Sequence, residues 1–383
     1  MNNSLPSTRE MIAQLIATPS VSCFRADLDM SNRPVIDLLA QWMETRGFEV
    51  EIQTINDSKF NLIARAGSGS DGLVLSGHTD TVPCDAKLWK SDPFEVYEKN
   101  DRLYGLGSCD MKSFLALALQ ASQSFDLDKL KRPLTIVATA DEESTMCGAK
   151  LIADNGKKLG RYCIIGEPTG LVPIRQHKGV LSESIRFTGR SGHASNPALG
   201  NNALEGMHEF IGELLKYRDG LIRQYNDPAF TIPTPTLNLG HIHGGDNSNR
   251  ICGACELLID IRFLPGMSID TLRADIGELA EAVAERRGLT SECQILGEGL
   301  PAMDTAQASE IAQHLKFLTG KSASSVAFGT EAPYYNSMKT ETIVIGPGSI
   351  DQAHQPDEFL PIDQIDPTID LLKQLIHKFC MQT

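Results

Sequence analysis

Four apolar runs in this chain each lead into residues that could do metal chemistry. "LVLSG" leads to His78-x-Asp80, "LTIVATA" to Asp141-Glu142-Glu143, "YCIIG" to Glu167, and "ETIVIG" to Pro347-Gly348 and then His354. A further stretch, "DRLYGLGSCD", brings Asp110 to the start of an apolar helix-like segment. Any one of these alone reads equally well as a turn or a helix cap. Together they change meaning. Carboxylates gathered in one cleft repel one another and raise their own pKa values unless a cation lies between them. Lys112 is the one cationic side chain within two residues of these acids and histidines, so a divalent metal would supply the missing charge. Two histidines with several carboxylates exceed what one tetrahedral ion takes and suit a bridged pair about 3.5–4 Å apart.

The elements that must position these residues can be read from the pattern. The short apolar runs read as buried parallel strands, with "DMKSFLALALQASQSF" as a crossover helix between two of them. Ser7-x-x-Glu10 has the form of a capping box ahead of "MIAQLIA", and "PVIDLLAQWMETRGF" reads as a helix closed by Gly47. Sites in open α/β sheets form outside the carboxyl ends of the strands, where these side chains fall. The middle of the chain differs. "LSESIRFTG", "NALEGMHEFIGELLKYRDGL", "TPTLNLGHI", "CELLIDIRFLP", "SIDTLRADIGELAEAVAERRG" and "TSECQIL" run in a β-α-β-β-α-β order, that of a ferredoxin-like sandwich. The fold class expected is α/β: a discontinuous domain with a central, mostly parallel sheet (residues 1–179 and 297–383) and an inserted ferredoxin-like α+β domain (180–296).

Bulk properties narrow the partners. The chain has 383 residues, is 41% hydrophobic and carries a formal net charge of -14. That balance argues against nucleic acid or an anionic membrane as the main partner and fits small substrates and divalent cations. No apolar run approaches the ~20 residues of a membrane span. The N-terminal stretch lacks a basic region followed by an apolar core, so no secretory signal is expected. Nine scattered cysteines do not form a disulfide framework, and a reducing cytoplasm is the setting expected.

The motifs "SGHTDTVP", "YGLGSCDMKS", "TADEESTMCGA", "IIGEPT", "SGHAS" and "GPGSIDQAHQPDE", in that order over essentially the whole chain, resemble those of the co-catalytic zinc aminoacylase/carboxypeptidase (M20-type) metallohydrolases. The resemblance implies a dinuclear metal-dependent deacylase of N-acyl amino acids, with two divalent ions per subunit, Zn2+ or Co2+. It implies that His78 and His354 are terminal ligands and that Asp110 bridges. Glu143 would share one ion with His354, and Glu167 the other with His78. Glu142 resembles the general base, and Asp80 a carboxylate that accepts a hydrogen bond from His78 and fixes its tautomer. His193, in "RSGHASNP", would stabilise the oxyanion. The inserted domain would act as lid and make a homodimer.

Substrate contacts are expected from the same resemblance. Asn249 would meet the substrate carbonyl and Arg262 its carboxylate. Arg250 reads either as a substrate contact or as a surface residue. Gly346 and Gly348 would offer backbone N–H groups. Glu331, in "GTEAP", is the expected partner, by charge, for a basic substrate side chain. Cys252-x-x-Cys255 lacks a second pair and His241-x-His243 lacks clustered carboxylates, so neither is expected to hold metal.

Overall fold

A computed structural model describes residues 5–382. Residues 1–4, where the stretch read for a leader begins, and Thr383 lie outside the described residues. The chain divides into two compact units. One comprises Met1–Arg175, Thr305–Ser324 and Thr330–Thr383, and the other Gln176–Asp304 with Ser325–Gly329.

The discontinuous unit is built on a mixed sheet. Six of the nine strands of this sheet are β1 (Glu49–Thr54), β2 (Phe60–Ala66), β3 (Leu73–His78), β4 (Leu134–Thr139), β5 (Tyr162–Ile165) and β6 (Glu341–Val344), in spatial order β1-β2-β4-β3-β5-β6. The four apolar runs of the sequence are β3, β4, β5 and β6, and they pair in parallel. Every residue of β3, β4 and β5 is buried, as expected of strands covered by helices on both faces. β1 and β2 add an antiparallel edge that the apolar-run reading did not identify. β1 is largely exposed and carries alternating polar residues, so it has no continuous apolar signature.

Helices cover this sheet. Ser7 and Glu10 form the capping box of Thr8–Ile16, whose Met11, Ile12, Leu15 and Ile16 are buried. Arg33–Arg46 ends at Gly47, whose φ of 99° lies in the left-handed region that glycine reaches without strain. The crossover helix Lys112–Ser122 is buried nearly all round and packs in one apolar cluster with Leu75, Ile136 and Ile164 of the strands.

The second unit is a four-stranded antiparallel sheet in the order Thr236–Gly244, Ala254–Phe263, Gly179–Thr188, Thr290–Ile295. Two helices, Ala203–Gln224 and Ile269–Arg287, share its apolar core. The order is that of a ferredoxin-like sandwich. Its limits are wider than residues 180–296. The N–H of Val180 donates to Leu300 O and that of Leu300 to Val180 O, both at 2.8 Å, which ties in chain beyond the last strand. The Ser325 hydroxyl donates to Ala229 O and holds the short segment 325–329 to the same unit.

Candidate metal centre

The parallel strands deliver their chemistry at one edge. His78 is the last residue of β3. β4 ends at Thr139, two residues before Asp141-Glu142-Glu143. β5 ends at Ile165, two before Glu167, and β6 leads through Gly346 and Gly348 to His354. The turn after β5 lies hard against that after β6. A Cβ on Gly346 would sit 2.1 Å from Gly166 O, so only glycine fits there. Asp110 arrives from the loop ahead of the crossover helix.

Two ligand-like groups result, and they share Asp110. His78, Asp110 and Glu167 can bring one donor atom each within 4.8 Å of one another, and so can Asp110, Glu143 and His354. His78 Nε2 is 3.2 Å from Asp110 Oδ1 and 3.9 Å from Glu167 Oε1. His354 Nε2 is 2.9 Å from Glu143 Oε2 and 3.8 Å from Asp110 Oδ2. His78, Glu142 and Glu143 form a third overlapping set.

The electrostatics of the cluster call for cations. Glu167 Oε1 is buried with no hydrogen-bond partner, a costly state for a carboxylate oxygen. Burial, aided by the charge of Asp110, lifts the Glu167 pKa well above the carboxylate range. Burial, with Glu143 adding to it, does the same to Glu142. At His78 burial opposes the charged ring, but Asp110, Glu167 and Asp80 outweigh it and the pKa rises. In both acids desolvation leads, and the crowded negative charge adds to it. Lys112 does not relieve it. Burial pulls its pKa down to about 7, and its ammonium donates to Thr18 O at 2.7 Å and Ser20 Oγ at 3.2 Å rather than to these carboxylates. The N and O donor set, the shared carboxylate and the orphaned oxygen therefore fit a pair of divalent cations.

Asp80 departs from its expected contact. His78 Nδ1 lies 3.0 Å from the backbone carbonyl of Asp80, while the Asp80 carboxylate is 3.7 Å from that nitrogen. The carbonyl therefore takes the Nδ1 proton and leaves Nε2 to face Asp110 and Glu167. The carboxylate is used elsewhere: it accepts the N–H of Glu142 at 3.2 Å and of Glu143 at 3.0 Å.

The glycines also differ from expectation. Gly348 N–H donates to Gln364 Oε1 at 2.8 Å and Gly346 N–H to Thr169 Oγ1 at 3.3 Å, so these amides already have partners within the chain. Glu331 is buried, accepts the Thr139 hydroxyl at 2.9 Å, and has its pKa raised by burial to about 7.

In the second unit His193, Asn249 and Arg250 come together. His193 and Arg250 form an antiparallel bridge, and Ala194 N–H donates to Asn249 O at 2.9 Å. The His193 ring is exposed, with Nδ1 2.7 Å from Ser195 Oγ. Arg250 pairs with Asp246 at 2.7 Å and Arg262 with Asp260 at 2.8 Å, both partly exposed. Among the described residues, His241, His243, Cys252 and Cys255 belong to no metal-like group, and the nine cysteines are free.

The motif reading passed over two supports of this centre. Lys59 is buried and bonds Asp29 at 2.7 Å and Asp141 at 2.9 Å. Asp141 also accepts the hydroxyls of Ser22 and Thr145, anchoring the turn that carries Glu142 and Glu143. Glu358 receives backbone amides from the loop ahead of Asp110. Glu358 lies inside a quoted motif, but nothing local distinguishes it from a surface acid.

Known proteins agree with this architecture. The model of "Peptidase family M20/M25/M40" matches residues 74–378. The acetylornithine deacetylase of Aliivibrio salmonicida is 48% identical over 376 residues, 98% of this chain and 99% of that protein. That of Klebsiella pneumoniae is 48% identical over 382 residues, 99% of this chain and 100% of that protein. Among solved structures, aminopeptidase PepT from Bacillus cereus superposes with a TM-score of 0.76 at 18% identity, covering 97% of this chain and 98% of that one. The Bacillus subtilis YXEP protein, described as a dinuclear metal binding peptidase from the M20 family, gives 0.67 at 14% identity, covering 97% of each chain. The match of the family model over most of the chain, with near full-length identity to its relatives, means that this chain belongs to peptidase family M20/M25/M40.

Proposed function

We propose that the protein hydrolyses N-acetyl-L-ornithine to L-ornithine and acetate, a step of arginine biosynthesis, as a metal-dependent amide hydrolase. The observation that carries this reading is the 48% identity, over 98% of the chain, to an acetylornithine deacetylase. The donor sets His78/Asp110/Glu167 and Asp110/Glu143/His354 would each hold one divalent ion, Zn2+ or Co2+, with Asp110 shared. When bound, such ions lower the pKa of water to about 7 and polarise the scissile carbonyl.

The chain's own groups do the rest. Glu142 takes a proton from the attacking water as its oxygen adds to the acetyl carbon. It then delivers that proton to the amide nitrogen as the C–N bond breaks, leaving the free amine and acetic acid, which ionises to acetate. The Asp80 carboxylate, by holding the amides of Glu142 and Glu143, keeps the base and the neighbouring ligand in register. His193 stabilises the oxyanion. Arg262 receives the substrate carboxylate, Asn249 meets the substrate carbonyl, Arg250 makes a further substrate contact, and Glu331 answers the ornithine ammonium. A homodimer through the inserted unit is part of the reading, supported by the exposed Leu204 and Ile222 on its helix Ala203–Gln224. Nine unpaired cysteines support a cytoplasmic setting.

The test is a substrate panel of acetylornithine, succinyl-diaminopimelate, acetylmethionine and a dipeptide, assayed with added Zn2+ or Co2+. The highest kcat/KM is expected for acetylornithine. Preference for the succinylated substrate, or two bound ions with no turnover of any member, overturns the reading.

A further inference from the structure

The two donor groups are not anchored alike. His78 and Glu167 are tied to the centre of the sheet: His78 closes β3, and Gly166 N–H donates to Ser76 O at 3.1 Å just ahead of Glu167. Asp110 and His354 stand on loops. Those loops are zipped to each other. Phe359, Leu360 and Pro361 pair antiparallel with Tyr104, Leu103 and Arg102, and Gly105 N–H donates to Glu358 O at 3.0 Å.

The zipper ends in a side chain. Glu358 is 1% exposed. Its Oε1 accepts the N–H of Cys109 at 2.7 Å and of Asp110 at 2.9 Å, and its Oε2 accepts the N–H of Gly107 at 3.0 Å. Three amide N–H groups thus converge on the two oxygens of one carboxyl group, at the distances of well-formed hydrogen bonds. They fix the backbone of the Asp110 loop from a point four residues beyond His354.

We propose that Glu358 is a positioning residue that sets the separation of Asp110 and His354, and thereby the affinity of the Asp110/Glu143/His354 ion site in particular. The inference rests on the two-ion reading above. The other site keeps His78 and Glu167 on the sheet whatever happens to this loop. The Asp110/Glu143/His354 site has two of its three ligands on the segments that Glu358 joins. A glutamine here still offers one acceptor oxygen, but its NH2 would face a donor amide. An aspartate is one methylene shorter and cannot reach all three.

The experiment uses the full chain and its Glu358→Gln and Glu358→Asp variants. Metal-free protein is titrated with Zn2+ against a chromophoric chelator. The visible absorption of the Co2+-loaded protein is recorded in parallel, and metal-free thermal unfolding reports on the fold. In both variants the second equivalent of Zn2+ is expected to weaken roughly 10- to 100-fold, the range seen when an outer partner of a ligand is lost. The first equivalent should stay within about three-fold of wild type, with the absorption of the second Co2+ altered and the metal-free protein still folded, its melting lowered because a buried amide loses its partner. Equal weakening of both equivalents, no change in either, or variants that do not fold without metal overturn the proposal. A wild type that binds a single ion overturns the two-ion reading itself, whereas two ions in the wild type with unchanged variants overturn only the role of Glu358.

Discussion

The Asp80 carboxylate accepts the backbone N–H of Glu143 at 3.0 Å, with the amide of Glu142 on its other oxygen at 3.2 Å. The Asp80 backbone carbonyl meanwhile holds His78 Nδ1. One residue thus orients both a histidine at the end of β3 and the acidic turn after β4. Asp80→Asn replaces one acceptor oxygen by a donor that faces an amide. We expect kcat to fall about 10- to 100-fold, with weaker metal binding as the companion effect. Steady-state kinetics with metal analysis checks this, and wild-type kcat at full metal occupancy would contradict it.

Glu142 is assigned as the proton carrier and not as a ligand. Glu142→Ala should retain both ions and still bind substrate, while turnover falls about 10²- to 10⁴-fold. Metal content, a binding isotherm and a single-turnover assay separate the two roles. Loss of an ion from this variant would reassign Glu142 to the ligand set.

Lys59 links the chemistry to stability. Its side chain is 5% exposed, and that of Asp141 9%. Lys59→Met leaves Asp29 and Asp141 without their cation. The expected loss is about 3–5 kcal/mol in denaturant unfolding, the range for breaking a buried pair on one side. The pH dependence has a definite sign. Burial opposes the Lys59 charge, but Asp29 and Asp141 outweigh it and raise the folded pKa above the ordinary 10.5. The contribution is therefore fully present below that value and lost as pH rises through the folded pKa. Wild type should lose this increment in alkali while the methionine variant does not.

Metal removal tests the charge argument directly. Dialysis against a strong chelator should abolish activity and lower the thermal midpoint, because ions that bind only the folded chain stabilise it by mass action. Zn2+ or Co2+ added back should restore both. A midpoint indifferent to chelation would mean that the buried carboxylates are balanced without a cation.

Much of the site was legible because its signals are local. A fully buried parallel strand reads as a short apolar run, so β3, β4, β5 and β6 stood out, and the residues after each run must emerge at one sheet edge. That placed His78, Glu142, Glu143, Glu167 and His354 together in expectation before any coordinate. The antiparallel pair β1 and β2 escaped notice because the outer strand β1 carries no apolar run, and in the buried β2 Asn61 and Arg65 interrupt it. The alternation and helix spacing of the middle segment were enough for a ferredoxin-like unit, though its limits shifted where isolated backbone pairs, such as Val180 with Leu300, extend it.

By itself the sequence determined which residue types stand at the strand ends and, through its ordered motifs, the family. Only the tertiary structure decided what each acid touches. The Asp80 carboxylate reaches amides more than sixty residues onward, and Glu358 reaches back about 250 residues to the loop before Asp110. The Gly346 and Gly348 amides turned out to be bonded within the chain. Hydrogen bonds of this kind depend on register and loop path between distant segments, and residue type and spacing carry no record of either.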